Sequence, residues 1–305
     1  MEEAIVNVFF RENHDNLIWL YICVLKEKRG LKMINRVIFN KKGGVGKTTI
    51  TCNLAAISAS FGKRTLVIDL DPQANASQYL LSNKYNEIKE EGLTIFDFFK
   101  ASLDGGNVFG FNPFFTHLNS PKPKAESFIH ETQFDNLYII PSHSGLADIE
   151  AQLVSKHKIY KLKEMIEQFS DFEALYIDTP PAMNFFSQSA LIAASRCLIP
   201  FDCDAFSKDA IFDVGKHIGD IQSDHNHSLV VEGIIVNQYM ARANYPKKVV
   251  DELKADDLPI LSTKISSSVK VRESHHECTP MIFLSPRHKL TLEYRALYDE
   301  ISSKE

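Results

Sequence analysis

Several things this 305-residue sequence lacks narrow its function at once. It has no paired cysteines: the five (Cys23, Cys52, Cys197, Cys203, Cys278) form no C-x-x-C and no zinc spacing. Scattered in this way and odd in number, they read as reduced thiols in a cytoplasmic protein. Spacing alone leaves open an iron–sulfur site shared between two subunits. A hydrophobic run long enough to cross a bilayer is also missing. The strongest, Leu17-Ile-Trp-Leu-Tyr-Ile-Cys-Val-Leu25, is nine residues long and ends at Lys26-Glu-Lys-Arg29, whereas a spanning helix needs about 20. The opening Met1-Glu-Glu has none of the basic residues of a secretory leader. Positive charge is not in excess either. The formal net charge is −5 and the pI about 6.1, so bulk electrostatics do not advertise a nucleic-acid binder. With 44% hydrophobic and 24% charged residues, the chain has the makings of a globular core in one large α/β domain or two small ones.

What is present is organised around Val37-Ile-Phe-Asn-Lys-Lys-Gly-Gly-Val-Gly-Lys-Thr-Thr-Ile50. The apolar start reads as a buried strand, the glycines as a turn, and the stretch from Thr48 through Asn53, Leu54 and Ala55 as a helix. That strand–loop–helix is the setting of a phosphate-binding loop. Gly43, Gly44 and Gly46 let successive backbone N–H groups turn toward one concavity, and the helix adds its positive end. Lys47 is then placed for the β- and γ-phosphates, and the Thr48 hydroxyl for Mg²⁺. Downstream, Thr65-Leu-Val-Ile-Asp-Leu-Asp-Pro-Gln-Ala-Asn75 is a second strand ending in two carboxylates. Asp69 and Asp71, two residues apart, share a strand face, and Pro72 stops the strand. Two aspartates at a strand end ordinarily do no more than solvate it; beside a phosphate loop one can hold a water and the other the metal shell. Ala174-Leu-Tyr-Ile-Asp-Thr-Pro-Pro181 is a third such strand, with Asp178 in the position of a Walker B carboxylate.

The first glycine of G-x-x-x-x-G-K-[ST] is replaced by Lys41, and Lys42 adds a second cation. The block Lys42-Gly-Gly-Val-Gly-Lys-Thr-Thr49 resembles the deviant Walker A of the ParA/MinD family of P-loop ATPases, closest to its ParA-type, Soj-like partition members. The resemblance runs from Met33 to Ile301. It implies that Lys42 reaches the partner's phosphates in an ATP-sandwiched homodimer. Lys42 to Thr49, Val45 included, would bind ATP; Asp71 would position water; Thr48, Asp178 and more weakly Asp69 would hold Mg²⁺. Asn237, ending the strand-like Leu229–Asn237, matches the family position at the adenine edge. Phe201-Asp-Cys-Asp204 stands where the family carries a glutamine- or glutamate-bearing stretch.

The same resemblance implies non-specific DNA binding through Arg242 and Lys270, with Arg272 substituting or assisting, and a ParB-like or other adaptor protein. Residues 241–305 hold eleven Lys and Arg against ten Asp and Glu, so any DNA site is local. Membrane anchoring as in MinD would need a basic amphipathic carboxyl-terminal helix; Arg295–Glu305 is acidic, so none is expected. A metabolic or iron–sulfur-assembly enzyme on the same P-loop would need the missing cysteine pair. A MinD-like cycle on membrane or protein surfaces without DNA is the alternative.

The expected fold is α/β: a doubly wound, mostly parallel sheet with helices on both faces. Residues 33–305 form the ATPase domain, with an insertion around 100–130 that includes the aromatic Phe109–Phe115. Residues 1–32 are expected to be an added docking helix or an upstream extension, and are too short for a helix-turn-helix domain. Near the carboxyl end, Val269–Ser274 is expected as the last loop, Pro280–Leu284 as the last strand and Leu290–Ile301 as the closing helix. The expected location is the cytoplasm, on the nucleoid.

Overall fold

The computed structural model describes residues 33–103, 124–203 and 207–304. The segment 1–32, the aromatic stretch Phe109–Phe115 and Asp204 lie outside them. Eight strands form one sheet in the order β3-β4-β2-β5-β1-β6-β7-β8. In chain order they are β1 (Ile34–Ile38), β2 (Thr65–Asp69), β3 (His130–Glu131), β4 (Leu137–Ile140), β5 (Ala174–Asp178), β6 (Arg196–Asp202), β7 (Val230–Tyr239) and β8 (Ile260–Ser266). Only the two-residue β3 runs antiparallel, at one edge. The central strands read as apolar runs because both faces are covered, and β2 and β5 are buried at every position.

The helices are α1 (Lys47–Ser60), α2 (Asn75–Leu81), α3 (Lys84–Glu91), α4 (Ile95–Leu103), α5 (Leu146–Ser155), α6 (Lys161–Ile166), α7 (Phe185–Ala193), α8 (Ser207–Asp224), α9 (Asn244–Ala255), α10 (Lys270–His276), α11 (Met281–Leu284) and α12 (Lys289–Ser302). Helix α1 packs on β1, β2 and β5, and α12 packs on both β8 and α1. Sandwiched in this way, α1 buries Ile50, Leu54, Ala55, Ala56 and Ile57 together with the polar Thr51, Asn53 and Ser58. It ends at Gly62, whose φ of +81° is the left-handed stop that glycine adopts without strain. On the other side α7 meets β1, and α8 meets β6 and α7.

The last expected strand is corrected: Met281–Leu284 is a helical turn. Four apolar residues after Pro280 find no strand partner; instead the Met281 N–H donates to Asn53 Oδ1 at 2.8 Å. The last strand is β8, which lies at the sheet edge and buries only Leu261 and Ile265 fully. The expected last loop at Val269–Ser274 is likewise mostly helical, in α10.

The amino-terminal side of the sheet is held by a buried ion pair. Arg36 on β1 donates to both oxygens of Glu232 on β7, at 2.7 and 3.0 Å, and both side chains are almost wholly shielded from solvent. Arg196 Nη1 on β6 reaches the same carboxylate at 3.1 Å. Removing Glu232 takes away the carboxylate that the buried Arg36 guanidinium faces. Glu232→Ala is therefore expected to cost about 3–5 kcal/mol of stability, read as a lowered urea midpoint with an unchanged slope.

Candidate nucleotide site

The site lies at the carboxyl ends of β1, β2, β5, β6 and β7, where an open α/β sheet binds its ligands. Strand β1 is flanked by β5 on one side and β6 on the other. The chain leaves β1 for β2 beyond β5 and later returns to β6, which opens a crevice above the end of β1. The loop there is shaped locally. Asn40 Nδ2 donates to the Pro200 carbonyl at 2.7 Å, while its Oδ1 accepts from the Lys42 N–H at 2.9 Å. Gly44 and Gly46 have φ of +77° and +90°, so the left-handed turns fall on glycine. At Gly46 space is also decisive: a Cβ there would lie 2.3 Å from Asn237 Nδ2. Gly43 needs no such freedom.

Asn237 and Gln238, at the end of β7, clamp the loop from outside. Asn237 Nδ2 donates to the Val45 carbonyl at 2.8 Å, and Gln238 Nε2 to that of Gly44 at 2.7 Å. Lys47 is 7% exposed, and its ammonium donates to the Lys42 carbonyl at 2.9 Å across the loop. Burial lowers its pKa, with Asp178 and Asp71 opposing the shift. A buried ammonium held by one neutral carbonyl is incompletely compensated, and a phosphate would supply the missing charge.

The acidic side chains converge on the same end of the sheet. Asp69 and Asp178 are register partners on β2 and β5, and both are fully buried. Asp178 Oδ2 accepts from the Thr48 hydroxyl at 2.7 Å. Burial raises the pKa of Asp178, and neighbouring Asp69 and Asp71 add to the rise; burial also brings Asp69 up to about 7. Asp69 is spent on its own loop: it accepts from the Asp71 N–H at 3.1 Å and from the N–H and hydroxyl of Ser77 at 2.9 and 2.7 Å. It therefore holds Asp71 and the start of α2 in place. The Asp71 carboxylate accepts from the Gln73 N–H at 2.9 Å, and the Ser142 hydroxyl donates to the Asp71 carbonyl at 2.6 Å.

This donor set fits Mg²⁺ carried with a nucleotide. Such a site uses one or two protein oxygens, with phosphate and water supplying the rest; Thr48 and Asp178 could supply them here. No cluster of three His, Cys, Asp or Glu able to cage a metal occurs among the described residues.

Lys42 points to a carboxylate on the neighbouring strand, donating to both oxygens of Asp202 at 2.8 and 3.0 Å. Lys41 pairs with Asp213 on α8 at 2.5 Å. Of the basic residues expected at DNA, Arg242 is exposed in the turn after β7. Lys270, at the start of α10, is paired with Glu273. The register pair Tyr239↔Ser266 sets the turn after β7 beside the segment leading into α10. Arg272 lines a cavity of about 290 Å³ that also reaches Gly44, Gly46, Thr49, Asn237 and Val271.

Asn40, Asp202, Ser77 and His275 were not singled out from sequence. An asparagine just before the two loop lysines is the one local signal among them, since its side chain caps an N–H two residues on. The others act on residues 8 to 226 positions away.

Comparison with known proteins finds relatives in sequence and in fold. The AAA_31 family, described as an AAA domain, matches residues 32–231. The chain is 28% identical over 283 residues to the chromosome partitioning protein ParA of Myxococcus xanthus, covering 91% of this chain and 92% of that one. It is also 28% identical to the sporulation initiation inhibitor protein Soj of Bacillus subtilis, covering 87% and 97%. Among solved structures, the septum site-determining protein MinD of Pyrococcus horikoshii, complexed with Mg-ADP, superposes with a TM-score of 0.67. Identity there is 24%, with coverage of 89% and 97%. No described helix is long and apolar enough to cross a membrane.

Proposed function

This chain belongs to the ParA/MinD family of P-loop ATPases, and we propose that it is a partition or positioning ATPase whose ATP-bound homodimer binds DNA without sequence preference. The observation that carries the reading is the meeting of a double-lysine phosphate loop with Asp71 and Asp178 at one end of the sheet. In this reading Lys47, the loop N–H groups and the α1 terminus would hold the triphosphate, and Thr48 and Asp178 would hold Mg²⁺. The metal, when bound, neutralises charge that builds between the phosphates. Asp71 then holds the attacking water.

Dimer formation follows from the electrostatics of the loop. Lys42 exchanges its Asp202 carboxylate for a phosphate of the partner's nucleotide, so ATP binds the dimer more tightly than the monomer and shifts the equilibrium toward it. Arg242 lies in the turn after β7, and Lys270 and Arg272 lie on α10, which follows β8. Two copies brought face to face would join these short patches into one long enough to hold a duplex backbone. A ParB-like or other adaptor then stimulates hydrolysis, and the protein works in the cytoplasm on the nucleoid. The cargo is a plasmid, a chromosome or a protein cluster.

Sedimentation velocity in ATP, ADP and no nucleotide tests the dimer. ATP is expected to double the mass of the wild-type protein. Lys42→Ala should still bind nucleotide yet remain a monomer, its dimerisation weakened on the order of 10²-fold for the loss of a desolvated charge contact. A Lys42→Ala protein that dimerises as readily as wild type contradicts the proposed role of the lysine.

A further inference from the structure

One side chain outside the phosphate loop touches both moving parts of the proposed cycle. His275, on α10, is half-buried, and its Nε2 lies 2.9 Å from the Thr49 hydroxyl on the first turn of α1. The ring stacks on Tyr79 of α2, with centroids 4.5 Å apart and planes inclined by 11°. Tyr79 also shares a hydrogen bond with Ser274, the residue before His275. Helix α2 is the element that Asp69 pins behind the Asp71 loop, through Ser77. One imidazole thus bridges the helix that receives phosphate and the helix that follows the water-holding loop.

The rest of the joint is built from polar contacts inside the core. Asn53, one turn after Thr49, donates to the Thr49 carbonyl at 2.8 Å and accepts from the Met281 N–H beyond α10. The Ser274 hydroxyl donates to the Thr279 carbonyl at 2.7 Å. Helix α10 is therefore fastened to α1 directly by His275, and the start of α11 just beyond it by Asn53. The same face of α10, through Val271 and Arg272 one turn before His275, forms a wall of the cavity beside Gly44 and Gly46. The same seven-residue helix begins with Lys270 and carries Arg272, the expected anion-binding residues.

We infer that His275 is a positioning residue that carries the nucleotide state of the phosphate loop into α10. A nucleotide that draws in the first turn of α1 changes the position of Thr49. A hydrogen bond and a stacked ring transmit that change because both are directional and short-ranged, and a packed joint has few alternative arrangements. Lys270 and Arg272 move with the helix. The inference rests on nucleotide binding at the loop, as proposed above, and not on DNA binding.

Hydrogen exchange on the full chain tests it, comparing ATP, ADP and no nucleotide for peptides covering α1 and α10. In the wild-type protein ATP is expected to slow exchange in both helices by about tenfold or more. His275→Phe retains a ring to stack on Tyr79 but removes the bond to Thr49. It should keep nucleotide affinity within about threefold and protection of α1, while the α10 response falls to about twofold or less. His275→Gln, which can again bond Thr49, should restore most of that response; a merely space-filling role would not distinguish the two variants in this order. The inference is overturned if α10 of His275→Phe responds as wild type does. It is equally overturned if ATP protects α1 but not α10 in the wild-type protein, a result available even where the Phe variant does not fold. ATP that protects neither helix overturns the nucleotide reading and this inference together. Binding to a random duplex, measured in parallel, bears on the DNA reading alone.

Discussion

Asp71→Ala is expected to bind ATP, assemble the dimer and then stall, with hydrolysis slowed on the order of 10²–10³-fold, the scale on which a positioned proton acceptor acts. The reason is positional. Asp71 sits where β2 has just ended, its N–H tied to Asp69 and its carbonyl to Ser142, so its carboxylate is held by a scaffold that the substitution leaves intact. Neither the loop glycines nor Lys47 depends on the Asp71 side chain for a hydrogen bond. Phosphate release under single-turnover conditions, run beside sedimentation in ATP, separates the two effects. A mutant that hydrolyses ATP within about fivefold of wild type, or returns quickly to monomer in ATP, removes Asp71 from the chemistry.

Lys47→Ala should produce the opposite failure: a folded protein that does not bind nucleotide. A desolvated charge–charge contact is worth about 2–5 kcal/mol, so the affinity for ATP is expected to fall on the order of 10²–10³-fold. The empty protein should not suffer. Burial lowers the Lys47 pKa, which means the fold disfavours the charged ammonium relative to the unfolded chain. Below that lowered pKa the charge is a net cost to the empty fold, and removing it should leave the melting temperature unchanged or raised. Titration with a fluorescent ATP analogue and thermal unfolding of the apo protein check both halves. Wild-type affinity, or a clear drop in melting temperature without nucleotide, would show that Lys47 serves the fold and not the ligand.

Both residues were legible in the sequence because their signals are local. A phosphate loop needs its glycines, lysine and threonine within eight consecutive positions, and a strand ending in a carboxylate announces itself through a few apolar residues. The doubly wound sheet followed from the same alternation. Contacts closed over long separations were not legible. Asp202 gives no sign that it faces Lys42, nor His275 that it meets Thr49. Glu232 lies within an apolar strand and looks like a solvent-facing interruption, yet it is buried against Arg36. The error at the carboxyl end had a related cause. Met281–Leu284 is apolar enough for a strand, but Pro280 and the bond to Asn53 turn it into a helical turn packed on α1. The true edge strand β8 was hidden by its serines, threonine and lysine.

Binding to random-sequence duplex DNA at low and moderate salt, compared in ATP, ADP and no nucleotide, is the most direct test of an ATP-gated DNA-binding dimer. The expected result is binding in ATP that weakens steeply with salt, as phosphate contacts require, and that falls sharply for Arg242→Ala combined with Lys270→Ala. Equal binding in all three nucleotide states, or none in any of them, would contradict an ATP-gated DNA-binding dimer. The second outcome would point to a protein or membrane surface as the ground on which this ATPase works.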